Sequence, residues 1–131
     1  MKTFIMIAAS TCMIAVGASA ADARARGGHF SVQGSGGRGL NVSRSINRQP
    51  GSVAATRSIQ TNGGHGVTTT RGGSWSNGVY SGGATHTTNN GTTWGRSTSA
   101  TANPNGGGSF NSTVTGPAGG HATVSGSTGQ Q

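Results

Sequence analysis

The sequence predicts an all-β protein, an open antiparallel meander of short hairpins that follows a cleaved signal peptide and a flexible Arg/Gly-rich arm. Three observations lead there. Turn signals return every 12 to 15 residues or so, roughly the spacing of short strands joined by tight loops. Between them, bulky and hydroxyl side chains alternate with the two-residue period of a strand. Thr and Val, whose branched Cβ favours extended backbone, supply much of that text. A structureless chain is the main alternative, because Leu, Ile, Val and Phe of the exported part fall below the roughly 20% at which disorder becomes the expectation.

Residues 1–20 read as an export signal. Lys2 supplies the positive start, Phe4 to Val16 the apolar run, and Ala18-Ser19-Ala20 a small-residue cleavage site. The run is shorter than the roughly 20 apolar residues of a membrane-spanning helix, and no second run follows, so no transmembrane segment is expected in the mature chain. Cleavage near Ala20 sends the protein to the periplasm, the cell surface or the medium. Cys12 leaves with the signal, and with it any disulfide or thiolate metal site. Cutting after Ala23 would also remove Asp22, the only acidic residue.

Residues 21–40 are Arg, Gly and Ser with only Phe30 and Val32 as anchors, the composition of a flexible arm. Residues 41–128 form the hairpin meander, and 129–131 a tail. Its turns are Asn62-Gly63-Gly64, Asn77-Gly78, Asn89-Asn90-Gly91, Asn105-Gly106-Gly107 and Pro117-Ala118-Gly119-Gly120. Asn77-Gly78 is the clearest, since both central residues of a type I′ turn need positive φ and these two adopt it at least cost. It sets Trp75 opposite Tyr80. The same register brings Gly73 against Gly82 and Gly72 against Gly83, which predicts a weak stretch or a bulge. Asn89-Asn90-Gly91 closes as a three-residue loop and places His86 opposite Trp94. Ile59 is expected to pair with Val67, and Ile46 with Val53.

Parity then sorts the side chains. One face collects Val42, Arg44 and Ile46; Val53, Ala55, Arg57 and Ile59; Val67, Thr69, Arg71, Gly73 and Trp75; Tyr80, Gly82, Ala84 and His86; Trp94 and Arg96; Phe110 and Val114; Ala122 and Val124. The reverse is Ser and Thr almost throughout, with Ala54 and Val79 as exceptions. All four Arg assigned to strands share the aromatic face, where their stems can lie along apolar surface and their planar heads on rings. With no carboxylate beside them, they discourage burial of that face within a monomer.

Catalysis is not expected from the composition: acid–base and nucleophilic chemistry need a carboxylate or an oriented His, and Asp22 sits beside the cleavage site. No Gly-x-Ser-x-Gly elbow occurs. Gly-Gly-His recurs at His29, His65 and His121, but such a triplet holds square-planar copper or nickel only as a free amino terminus, so no metal or cofactor is expected. The formal net charge is +8, and every base after the signal is Arg. Such a surface attracts anionic polymers: polysaccharide, lipopolysaccharide or extracellular DNA. Arg26-Gly27-Gly28, Gly37-Arg38-Gly39 and Arg71-Gly72-Gly73 look like the Arg-Gly-Gly elements of RNA-binding tails, but composition alone would scatter such matches.

The Ala-Ser-Ala signal end and the text QTNGGHGVTTTRGGSWSNGVYSGGATHTTNNGTTWGRSTS resemble small exported Gly/Ser/Thr/Asn-rich repeat-like proteins of Gram-negative bacteria. That resemblance implies export and carries no catalytic or binding residue over. The functional expectation is a non-enzymatic structural or interaction protein of the cell envelope or extracellular matrix. Arg44, Arg57, Arg71, Arg96, Trp75, Tyr80 and Trp94 would bind anionic polymer. The alternative is a self-assembling, fibre- or matrix-forming β protein, built through unpaired strand edges.

Overall fold

Eight strands follow one another along the chain: β1 (Arg24–Gln33), β2 (Gly39–Gln49), β3 (Ser52–Thr61), β4 (Gly66–Ser76), β5 (Val79–Thr88), β6 (Thr93–Ala102), β7 (Gly108–Thr115) and β8 (His121–Thr128). The structure, a computed structural model, describes residues 24–129 of the 131. The signal segment 1–20, residues 21–23 and the last two Gln lie outside the described residues. Every strand pairs antiparallel with its neighbours in sequence, giving one open sheet in the order β1 to β8, and no helix occurs among the described residues.

Turn chemistry sets the registers. Asn77 (φ 50°) and Gly78 (φ 74°) both take the left-handed conformation of a type I′ turn, and Trp75 faces Tyr80 as the sequence predicts. The loop Asn89-Asn90-Gly91 is closed by Thr88 N donating to Thr92 O at 2.9 Å, and His86 faces Trp94. Ile59 faces Val67.

Two expectations differ from the structure, and for a third one of its two alternatives falls away. Ile46 faces Ala55, not Val53, because the ladder runs on to Gln49 and Ser52 and the reversal is the two-residue turn Pro50-Gly51. Pro followed by a positive-φ Gly (φ 74°) is the type II signature. The shift by two residues leaves every side chain on its expected face. The Gly72/Gly73 and Gly82/Gly83 stretch is paired without interruption, so there is no bulge. The Tyr80 ring lies over it: a Cβ at Gly73 would stand 3.0 Å from the Tyr80 hydroxyl. Finally, Arg24–Gln33, expected within the flexible arm, is an edge strand with ten residues paired to β2. Arg24, Arg26, Phe30 and Val32 alternate there in phase with Leu40, Val42, Ile46 and Arg48, so the composition of an arm conceals the period of a strand.

The sheet is a single layer with no core. Among the described residues no hydrophobic side chain is buried, and the one buried residue, Ser112 at 7% exposure, is polar. Hydrogen bonding and β-propensity therefore stand where burial usually does.

Candidate polymer-binding face

The pairing registers turn the sequence-derived faces into rows that cross the strands. One row on the aromatic face runs Gly28, Arg44, Arg57, Thr69, His86, Trp94; the next runs Arg26, Ile46, Ala55, Arg71, Ala84, Arg96, Val114, Ala122. A third begins Arg24, Arg48, Val53. Directly opposed side chains have Cβ atoms about 5 Å apart. Hence Arg44 stands against Arg57, and Arg24 against Arg48.

The face therefore carries seven Arg: the four expected from sequence, and Arg24, Arg26 and Arg48, which were missed. Assigning 21–40 to an arm hid the first two. A strand end placed too early hid the third. All seven are exposed. Six sit on β1 to β4, so the cationic region occupies one half of the sheet. Between Arg24, Arg26, Arg44 and Arg48 the missing side chain of Gly28 opens a shallow basin of about 620 Å³, floored by Phe30 and Ile46. A Cβ at Gly28 would meet nothing within 4 Å.

The aromatic residues split into two groups rather than joining the Arg in one patch. Trp75 and Tyr80 form a tilted pair, centroids 6.4 Å apart, beside the Asn77-Gly78 turn. Trp94 stacks on His86 at 5.3 Å and 14° near the opposite strand ends. Thr69 Oγ1 lies 2.9 Å from His86 Nδ1 and holds that imidazole in place. Trp75 is exposed, Tyr80 and Trp94 half-buried. The contacts seen on the rings are aromatic; stacking of guanidinium on indole is not among them. Arg96 is oriented by polar contacts instead, its Nε donating to Ser112 Oγ at 2.8 Å, with Thr98 Oγ1 3.0 Å from the same oxygen.

The reverse face is the hydroxyl surface predicted. Ser45, Thr56, Thr70 and Thr85 form one row and Ser43, Ser58, Thr68, Thr87 and Thr93 the next. Hydroxyls touch across strands at Thr68 to Ser58 (3.3 Å) and Thr113 with Thr123 (2.9 Å).

What fold and site define is a single-layer antiparallel sheet with a cationic, partly aromatic face and a hydroxyl face. Comparison with protein families, curated proteins and solved structures finds no match to the chain.

Proposed function

We propose that the protein is a non-enzymatic, exported structural or interaction protein of the cell envelope or extracellular matrix that holds anionic polymers on its Arg face. The observation that carries this reading is the convergence of seven Arg on one exposed face, two pairs of them directly opposed, with no carboxylate among them. Like charges directly opposite one another destabilise a sheet. A polyanion laid across β1 to β4 removes that repulsion and releases its own counterions in doing so. Trp75, Tyr80 and Trp94 flank this region and offer flat apolar surface to sugar rings or bases.

Retention on heparin or DNA measured against salt tests the proposal. Binding should fall linearly with log salt, and replacing Arg44, Arg57, Arg71 and Arg96 by Gln should flatten that slope by about 0.9 per lost contact on duplex DNA. Retention indifferent to ionic strength would exclude it.

Among the described residues no apolar side chain is buried and β1 and β8 are each paired on one side only, which favours a second reading: self-assembly into fibre or matrix. Purified protein should then bind thioflavin and give the cross-β spacing of about 4.8 Å.

A further inference from the structure

We propose that copies of this chain join head to tail, β8 of one lying antiparallel beside β1 of the next. This rests on the self-assembly reading and specifies its interface. The molecule repeats itself along the sheet. Gly37, Gly64, Gly91 and Gly119, all of positive φ, close loops at the same end of the strands and stand 27, 27 and 28 positions apart. Between successive ones lies a strand pair: β2 with β3, β4 with β5, β6 with β7. Within each pair, the residue seven after the first Gly faces the residue seven before the next: Arg44 with Arg57, Arg71 with Ala84, Thr98 with Ser112.

The bonds between units repeat as well. Asn62 Nδ2 donates to Gly37 O at 3.2 Å and Asn89 Nδ2 to Gly64 O at 2.8 Å. At the other strand ends, Trp75 N donates to Gly51 O and Ala102 N to Gly78 O, both at 2.7 Å.

Counted in these units, β8 is the first strand of a fourth pair and, among the described residues, has no second. β1 is a second strand and, among the described residues, has no first. The two halves complement each other across copies. Applying the internal register places Val124 opposite Val32, Gly126 opposite Phe30 and Thr128 opposite Gly28 of the next copy, all on the Arg face. Ser125 then meets Ser31, and Ser127 meets His29, on the hydroxyl face. Val124, Phe30 and Val32, at 62%, 59% and 50% exposure, are three of the four most exposed large apolar side chains of the described residues. The register thus brings together the apolar groups that the isolated sheet leaves most open to water.

Charge and symmetry agree. Pairing β1 with another β1 brings Arg24 and Arg26 of two copies together, whereas β8 carries no charged residue. Neither edge strand holds a Pro or a bulge, two of the usual means of blunting an edge, and the charges of β1, Arg24 and Arg26, lie beyond the residues that meet β8 in this register. With eight strands, β1 and β8 run in opposite directions, so repetition along the sheet makes an antiparallel junction and keeps the Arg face on one side. Such a head-to-tail contact does not close, and each copy advances the filament by about 38 Å, eight strand spacings of about 4.8 Å.

Edge-blocked variants test it. Of two neighbouring strand residues one points its N–H outward, so Gly27→Pro and Gly28→Pro are compared for β1, and Thr123→Pro and Val124→Pro for β8, keeping whichever preserves the β circular dichroism. Each blocked variant alone should stay monomeric by light scattering, and an equimolar mixture should double in mass and stop. Continued growth of either blocked variant overturns the head-to-tail interface while leaving self-assembly standing; unmodified protein that stays monomeric at all concentrations overturns both. Cysteine pairing on a Cys12→Ala background keeps the question answerable if the Pro variants unfold. Within one chain, positions 32 and 124 are seven strand spacings apart, about 34 Å, too far for a disulfide. Val32→Cys/Val124→Cys should therefore give an oxidation ladder of multiples. Monomers only, or ladders equally strong with Ala122→Cys in place of Val124→Cys, would refute the register.

Discussion

At the scale of single residues, the glycines divide by what a side chain would meet. A Cβ at Gly72 would stand 2.8 Å from Val53 O, and at Gly83 and Gly95 it would run into the carbonyls of Arg96 and Ala84. These are backbone atoms of the neighbouring strand and cannot rotate aside. Gly83→Ala or Gly95→Ala is therefore expected to cost about 1–3 kcal/mol, the range for overpacking, in urea unfolding followed by circular dichroism. At Gly28 the space is open and φ is not positive. Gly28→Ala should instead stabilise by about 0.4–1 kcal/mol, by restricting the unfolded chain. Parity, which requires only the sequence, assigns Gly72 and Gly83 to the hydroxyl face; that both lie against a carbonyl, while Gly28 does not, depends on the approach of the adjoining strand.

At the scale of elements, each hairpin is only as stable as its turn, because no core holds it. Asn77 at φ 50° is the one non-Gly residue of the described chain with positive φ. Asn77→Ala should cost about 1–2 kcal/mol, the penalty of left-handed backbone for a residue without a short polar side chain. Weakening of the near-ultraviolet signal from the Trp75–Tyr80 pair would check it, and Asn77→Gly should keep the signal. Asn-Gly turns were legible for the same reason that they fold: few residues tolerate that geometry. Pro50-Gly51 was passed over, so Ile46 was set against Val53 and the opposition of Arg44 to Arg57 stayed hidden. β1 was lost to its Arg/Gly composition. The period-2 placement of Arg24, Arg26, Phe30 and Val32 was the signal that could have found it.

At the scale of the whole molecule, a one-layer sheet with seven Arg on one side is held against its own charge. Salt should raise the unfolding midpoint, since screening shortens to about 3 Å at 1 M. Arg57→Gln should raise the midpoint at low salt and leave it unchanged at 1 M, because what it removes is repulsion from Arg44. Heparin should stabilise the unmodified protein in low salt by about 2.7 kcal/mol at a hundred times its dissociation constant. Failure of heparin to shift the midpoint would separate the Arg face from anion binding.

What the amino-acid sequence determined by itself was which side chains share a face. That follows from local alternation, a property of extended backbone that survives any shift of register by two. Tertiary pairing decided which residues on that face stand opposite one another, that β1 belongs to the sheet, and that the described residues repeat every 27 or 28 positions, with β1 and β8 each half of such a unit. Those outcomes depend on turn lengths and on contact between strands distant in sequence. Periodicity within a single strand carries no record of its neighbour.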